Sequence, residues 1–230
     1  MTIRAIVTDI EGTTSAIAFV KETLFPFAAE ALDGFLDAHG QDPQVQAVLT
    51  VVPGPDPRAT LRAWMAEDAK VTPLKTLQGM IWRAGFEDGR LKGHLWPDVP
   101  GCLDAWSNAG IALAVYSSGS VEAQRLLFRH SQAGNLEPLF FAFFDIRIGA
   151  KREPASYAAI AASLACLPAE ILFLSDVAEE LDAAARQGLQ TCQLVRAADG
   201  TQPSGRHPAA GSFPAVAQLF GLPEPGHAAG

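Results

Sequence analysis

Five short apolar runs, each ending in polar residues or a turn, constrain this chain more than any other feature. Ile3–Thr8 is a β-branched run that stops at Asp9-Ile10-Glu11-Gly12-Thr13-Thr14. A continuous apolar run of that length, bounded by a Gly turn, fits a strand covered on both faces. Ile111–Tyr116 runs into Ser117-Ser118-Gly119-Ser120 and then a helical pattern from Val121 to His130. Phe140–Ile148 is aromatic and β-branched, and Pro154 opens a helix that extends to about Leu164. Ile171–Leu174 leads through Ser175-Asp176 to a helix over Glu179–Gln187, and Thr191–Val195 is a further strand. Strands alternating with helices predict a parallel α/β sheet.

One stretch breaks that rhythm. Residues 15–100 read as helices and loops without a convincing strand: a helix over Glu22–His39, a Pro- and Gly-rich loop from Val51 to Arg58, helices over Ala59–Ala69 and from Pro73 onward, then turn residues from Gly85 to Gly101. The expected organisation is therefore an α/β core formed by 1–14 and 101–230, with 15–100 as a helical insert. After Ala198 the sequence is rich in Gly, Pro and Ala, with a short helix over Pro214–Phe220 capped by Ser212 and a frayed end over the last ten residues.

Composition excludes several classes. The 230 residues are 49% apolar, enough for a real core, and carry 17 Lys+Arg against 25 Asp+Glu, a net charge of −8. An acidic chain is a poor partner for a phosphate backbone, so no nucleic-acid binding is expected. Cys102, Cys166 and Cys192 are widely spaced and lack CxxC spacing, which predicts free thiols rather than disulfides or a zinc site. No run is long and apolar enough for a signal peptide or a membrane span. A cytoplasmic monomer is the expectation, and a phosphorylated small molecule stays open as partner, because a local pocket can be positive while the surface is negative.

Open α/β sheets bind ligands beyond the carboxyl ends of their strands, so the residues that finish the runs carry the chemistry. Asp9 is a carboxylate nucleophile able to form an acyl phosphate, and Glu11 is placed to protonate the leaving oxygen and then to deprotonate water. Asp176 together with Asp9 offers hard oxygen ligands to Mg2+. Ser117, with the N–H groups of Ser118 and Gly119 before a helix, forms a phosphate cradle. Lys151 offsets charge on the transferring oxygens, and Glu180, four residues after Asp176, can support the metal site from behind. Singly, these residues also read as turns, caps and solvated charges. Together, each at its strand end and in order, they are the inventory for phosphoryl transfer.

Asp9-Ile10-Glu11-Gly12-Thr13-Thr14 resembles the first motif of the haloacid dehalogenase-like hydrolases, with Glu at the second acidic place. That departure is similar to one branch, the enolase-phosphatase E1 (acireductone synthase) family of methionine salvage. The resemblance extends through Phe19-Val20, Leu24-Phe25-Pro26, Leu74-Lys75-x-Leu77-Gln78-Gly79, Gly93–Val99, Tyr116–Ser120, Ile148-Gly149-x-Lys151 and Leu172–Val177, and covers roughly residues 3 to 196. It implies a Rossmann-like parallel sheet core of haloacid dehalogenase type, with the helical segment as a cap inserted after the first strand. It implies a Mg2+-dependent enzyme that enolises 2,3-diketo-5-methylthiopentyl-1-phosphate and removes its phosphate. The family's metal ligands fall on Asp9, Glu11 (through its backbone carbonyl) and Asp176, and its substrate-binding positions on Ser117, Ser118 and Lys151. Ala150 stands where the family pattern has His, and Ser175 where Thr is usual.

Some alternatives stay open at this point. A sugar-phosphate phosphatase or phosphomutase of the same superfamily would use the same strand-end residues, and a silent binding module would keep only the fold. The base for enolisation is either Glu11 or a residue of the helical segment, where Lys75, Gln78 and His94 are the polar groups of the matching motifs.

Overall fold

The computed structural model describes residues 2–226, which divide into two compact units, one formed by 2–17 with 93–226 and the other by 18–92. In the first unit six parallel strands form a sheet in the order β3-β2-β1-β4-β5-β6. They are β1 (Ala5–Thr8), β2 (Ala112–Tyr116), β3 (Phe140–Phe144), β4 (Ile171–Ser175), β5 (Gln190–Leu194) and β6 (Ala209–Ala210). β1 and β4 are buried at every position, as strands covered on both faces by helices must be. Chain order runs outward from β1 to β3 and then returns to β4 on the other side of β1. That reversal opens a crevice at the carboxyl ends of β1 and β4, the place where such sheets take ligands. Register fixes what lies there. Thr8 is level with Val115 on β2 and with Leu174 on β4, so Asp9 lies level with Tyr116 and Ser175, and Ser117 and Asp176 come one residue further out.

The helices of this unit are α5 (Val99–Asn108), α6 (Val121–Arg129), α7 (Pro154–Ser163), α8 (Ala178–Arg186) and α9 (Phe213–Phe220). Ala5, Val7, Ala114, Tyr116, Ile171 and Phe173 from one sheet face pack with Tyr157 and Ile160 of α7, Leu164 just after it, and Leu181 and Ala184 of α8. Trp106 of α5 stacks on Phe213 of α9, with ring centroids 5.3 Å apart. Ser120 and Ser212 cap α6 and α9 through their hydroxyls, and Gly221, at φ 64°, ends α9 in the left-handed region.

The second unit is helical: α1 (Phe25–His39, preceded by a π-helical turn over Val20–Leu24), α2 (Pro43–Thr50), α3 (Pro57–Ala66) and α4 (Thr72–Glu87). Its core is Ala28, Leu32 and Leu36 of α1, Val45 and Val48 of α2, Leu61 of α3, and Leu74, Leu77 and Ile81 of α4. These recur at the three- and four-residue spacing of one helix face. Pro57 at the first turn and Asp56, which accepts the N–H groups of Arg58 and Ala59, start α3.

Several expectations change. α2 lies in a stretch to which the sequence pattern assigns no element, α5 starts inside the turn-rich stretch 85–101 and runs on to Asn108, and β6 lies in the Gly- and Pro-rich tail. α4 continues past Gly85 to Glu87 because the glycine admits a ring: a Cβ there would sit 2.4 Å from Phe27 Cζ. The helical unit spans 18–92, narrower than the 15–100 read from sequence. Residues 15–17 and 93–100 are instead tied into the sheet unit, with Trp96 N–H donating to the Thr14 carbonyl (2.9 Å), Ala16 N–H to His94 Nδ1 (3.1 Å) and Gly93 N–H to the His130 carbonyl (2.8 Å). The tail, read as frayed, packs at least as far as Pro223: Leu222 is buried, and Trp106 Nε1 donates to the Pro223 carbonyl at 3.1 Å. Residues 227–230 lie outside the described part. All three cysteines are free, and burial pushes the Cys102 and Cys192 thiols up to about 12. Among the described residues no helix is long and apolar enough to cross a membrane.

Candidate active site

Asp9 leaves β1 with its N–H still bonded to the Leu174 carbonyl (2.9 Å), so the sheet itself fixes where its side chain begins. The chain then turns back sharply. The N–H groups of Thr13, Thr14 and Ser15 all donate to the Ile10 carbonyl at 3.2, 3.0 and 2.9 Å, and Gly12 takes φ 70°, a conformation costly for any other residue. Asp9 Oδ1 accepts the Ile10 N–H at 2.7 Å, which aims Oδ2 at Lys151 Nζ, also 2.7 Å away.

Lys151 is only 8% exposed and makes a second contact of 2.7 Å, to Glu180 Oε2. Burial works against its charge, but Asp9 and Glu180 outweigh burial and raise its pKa. Tyr157 Oη donates to the Lys151 carbonyl at 2.7 Å and holds the backbone behind the ammonium. Glu180, in the first turn of α8, also accepts Ser175 Oγ–H at 3.0 Å; burial, then the charge of Asp9, raises its pKa against the pull of Lys151.

Asp176 follows β4. Its N–H donates to Thr13 Oγ1 (3.1 Å) and its carbonyl accepts Gln193 Nε2 (2.9 Å), so its backbone is fastened on both sides. Its carboxyl lies against Gly12: a Cβ on that residue would come within 2.4 Å of Asp176 Oδ2. Burial, then the charge of Asp9, pushes this carboxyl up to about 7. A carboxyl destabilised in that way beside a second carboxylate is a site where a divalent cation restores the balance. Among the described residues no group of three or more His, Cys, Asp or Glu side chains has metal-binding spacing. The available side-chain donors are thus two carboxylates, the set a hard cation takes together with carbonyl oxygens and water.

At the end of β2, Ser117 is buried while Ser118 and Gly119 are exposed before α6. Gly119 N–H, expected to face a phosphate, is turned toward Ser117 Oγ at a long 3.3 Å. Glu11 is exposed on the 9–14 loop, its backbone bridged to Ser15.

The structure therefore brings Asp9, Lys151 and Glu180 into direct contact and places Asp176 where it feels the charge of Asp9. Of the three polar groups of the helical motifs, His94 belongs to the sheet unit, where it accepts the Ala16 N–H at Nδ1 and therefore carries its proton on Nε2 when neutral; burial lowers its pKa. Lys75 is exposed, and Gln78 lines a groove of about 230 Å³ with Lys21, Phe25 and Met65.

Comparison with known proteins shows the family. Residues 3–188 match the model of the haloacid dehalogenase-like hydrolases. The chain is 56% identical to Enolase-phosphatase E1 of Granulibacter bethesdensis, over 96% of this chain and 98% of that one. It is 50% identical to Enolase-phosphatase E1 of Pseudomonas aeruginosa, over 93% and 97%. The chain belongs to the enolase-phosphatase E1 family. Among solved structures, the UTR4 protein of Saccharomyces cerevisiae superposes with a TM-score of 0.81 at 33% identity, over 92% of this chain and 99% of that one. CbbY of Rhodobacter sphaeroides, at 0.59 and 21% identity over 92% and 95%, shares the fold. The family and fold expected from the strand-end motifs are the ones found. A member of the enolase-phosphatase E1 family uses a divalent metal, and the donor set just described fits one.

Sequence reasoning missed three residues of the site. Thr13 was visible only as part of a motif, yet its hydroxyl ties the first loop to Asp176. Gln124 of α6 donates from Nε2 to the carbonyls of Gly119 (2.7 Å) and Phe144 (2.9 Å), joining the ends of β2 and β3. Arg196, just past β5, grips the Thr13 carbonyl. Gln124 and Arg196 are single polar residues that bond carbonyls 20 and 183 residues away, and no spacing announces them.

Proposed function

We propose that the protein is an enolase-phosphatase that converts 2,3-diketo-5-methylthiopentyl-1-phosphate into the acireductone and phosphate, with Asp9 as nucleophile and Mg2+ as the metal. The observation that carries this reading is the buried Asp9–Lys151–Glu180 contact beside Asp176, in a chain that keeps the E1 motifs over most of its length.

Asp9 Oδ2 attacks phosphorus. Its partner oxygen is held by the Ile10 N–H, so the carboxylate presents one oxygen in a fixed direction, which removes much of the entropic barrier. Lys151 lies against that same oxygen and passes its charge to the phosphoryl oxygens as the Asp9 charge is consumed. Glu180 keeps Lys151 charged and in place through both half-reactions. Glu11 protonates the leaving oxygen and then takes the proton from the water that hydrolyses the aspartyl phosphate. Ser117 and the N–H groups of Ser118 and Gly119 receive the phosphate oxygens, the weak Gly119-to-Ser117 bond giving way to a charge-assisted one. Mg2+ would be held by Asp9, Asp176 and the Glu11 carbonyl, and when bound it neutralises charge on the phosphoryl group. The assignment of the helical unit 18–92 to substrate selection is part of the same proposal.

The test is incubation with the diketone phosphate and Mg2+, following acireductone absorbance and released phosphate together. Both signals are expected, and chelation should silence both. Phosphate without acireductone would reduce the protein to a general phosphatase, and release that survives chelation would remove Mg2+ from the mechanism.

A further inference from the structure

Arg196 is 5% exposed, and its guanidinium is committed in an unusual direction. Nε and Nη2 both donate to one neutral acceptor, the Thr13 carbonyl, at 3.0 and 2.8 Å. Nη1 faces both carboxylate oxygens of Asp98 at 3.0 and 2.9 Å and reaches the Gly211 carbonyl at 3.3 Å. The rings of Trp96 and Phe213 lie 5.4 and 5.6 Å from the guanidinium carbon. Asp98 is anchored in turn by the Phe213 N–H at 2.8 Å. An arginine so enclosed has one orientation.

Thr13 is fully buried and has two links beyond its own loop. Its carbonyl is in the Arg196 fork, and its hydroxyl accepts the Asp176 N–H. The N–H groups of Thr13, Thr14 and Ser15 converge on the Ile10 carbonyl and that of Gly12 goes to the Ser15 carbonyl, while the Thr13 carbonyl is taken by the arginine. The arginine therefore fixes a residue that joins the turn carrying Asp9 and Glu11 to Asp176, which carries the other carboxylate.

We propose that Arg196 is a positioning residue that, through Thr13, sets the separation of Asp9 and Asp176 and thereby the affinity of the site for its divalent cation. The proposal rests on the functional reading above. It adds a residue that touches neither substrate nor metal. Lysine could keep the ion pair with Asp98 but has no planar fork for the Thr13 carbonyl. Outer-shell partners of metal ligands are worth about 10–100-fold in affinity.

The experiment is a calorimetric titration of Mg2+ into the whole protein without substrate, for wild type, Arg196→Lys, Thr13→Val and Thr13→Ser. Arg196→Lys and Thr13→Val are expected to raise the Mg2+ Kd by about 10–100-fold, while Thr13→Ser, which keeps the hydroxyl, stays near wild type. Turnover by Arg196→Lys should recover as Mg2+ is raised, so the defect lies in the metal dependence rather than in kcat. If Arg196→Lys does not fold, Asp98→Asn loosens the same arginine and should shift the Kd in the same direction. A lowered Tm with unchanged Mg2+ affinity in these variants would make Arg196 merely structural and overturn the proposal. A wild type that binds no Mg2+ would overturn the functional reading instead, which keeps the two failures distinguishable.

Discussion

Lys151 and Arg196 are both buried cations at the carboxyl edge of one sheet, 8% and 5% exposed, and they are held in contrasting ways. Lys151 sits between two carboxylates at equal distances of 2.7 Å, one of them the proposed nucleophile. Arg196 has one carboxylate, two backbone carbonyls and two aromatic faces. The lysine faces groups whose charge changes during the reaction, and its compact ammonium can follow that charge. The arginine faces groups that take no part in the proposed reaction, and its planar fork fixes a backbone position. A buried positive charge can thus serve chemistry or geometry, and the partners tell which.

The sharpest way to break the comparison is to remove the group that makes the lysine's surroundings chemical. Asp9→Asn keeps the shape and the Ile10 contact but deletes the nucleophile. Phosphate release should fall by about 10⁴-fold or more, as for other nucleophile deletions, measured as initial rates at saturating substrate. Activity within tenfold of wild type would mean that Asp9 only pairs with Lys151.

Lys151→Met comes next. It leaves Asp9 and Glu180 buried without their cation, a change that costs about 3–5 kcal/mol when one partner of a buried pair is lost. It also takes a stabilising charge from the transition state, which lowers kcat by about 10²–10³-fold. Denaturant unfolding and steady-state rates read the two effects separately. Arg196→Met should cost less stability, because Asp98 is 23% exposed and can turn to water. A larger loss at Arg196 than at Lys151 would contradict the contrast between the two cations.

Glu180→Gln is smaller again. Ser175 Oγ–H and Lys151 keep an oxygen to bond, and only the negative charge goes. The expected loss in kcat is about 10-fold, the low end for partners that orient a functional group, with KM little changed. A rate equal to wild type would show that Asp9 alone keeps Lys151 in place.

Most of the chemical side of this comparison was legible in the sequence, and most of the geometric side was not. Asp9, Lys151, Asp176 and Glu180 follow apolar runs whose strand character is local, so a parallel sheet converges them without further information. Arg196, Thr13 and Asp98 owe their meaning to separations of 183 and 98 residues, which no local pattern encodes. The same holds for Gly85, read as a turn, whose task is to admit the Phe27 ring inside α4. Gly93–Val99 resembled a family motif but was assigned to the helical insert. Its hydrogen bonds to Thr14, Ala16 and His130 place it in the sheet unit, and those bonds too are long-range.

The smallest effect tests the metal side of the site. Burial and the charge of Asp9 hold the Asp176 carboxyl up at about 7, against 3.8 for the free group, with Glu180 adding to the rise and Lys151 opposing it. The folded, cation-free protein therefore binds more protons than the unfolded chain between about pH 4 and 7, and stability falls as pH rises through that window. Asp176→Asn removes the penalty. With chelator present at pH 8 the variant should melt above wild type, by about 2–4 °C. That is the shift from about 1 kcal/mol in a chain of this size, once partial exposure of the carboxyl is allowed for. Near pH 4 the two proteins should melt together. Adding Mg2+ at pH 8 should raise the wild-type Tm and leave the variant nearly unmoved, because the cation removes the same penalty that the substitution does. A Tm difference that does not depend on pH would place its cause in packing rather than in the charge of Asp176.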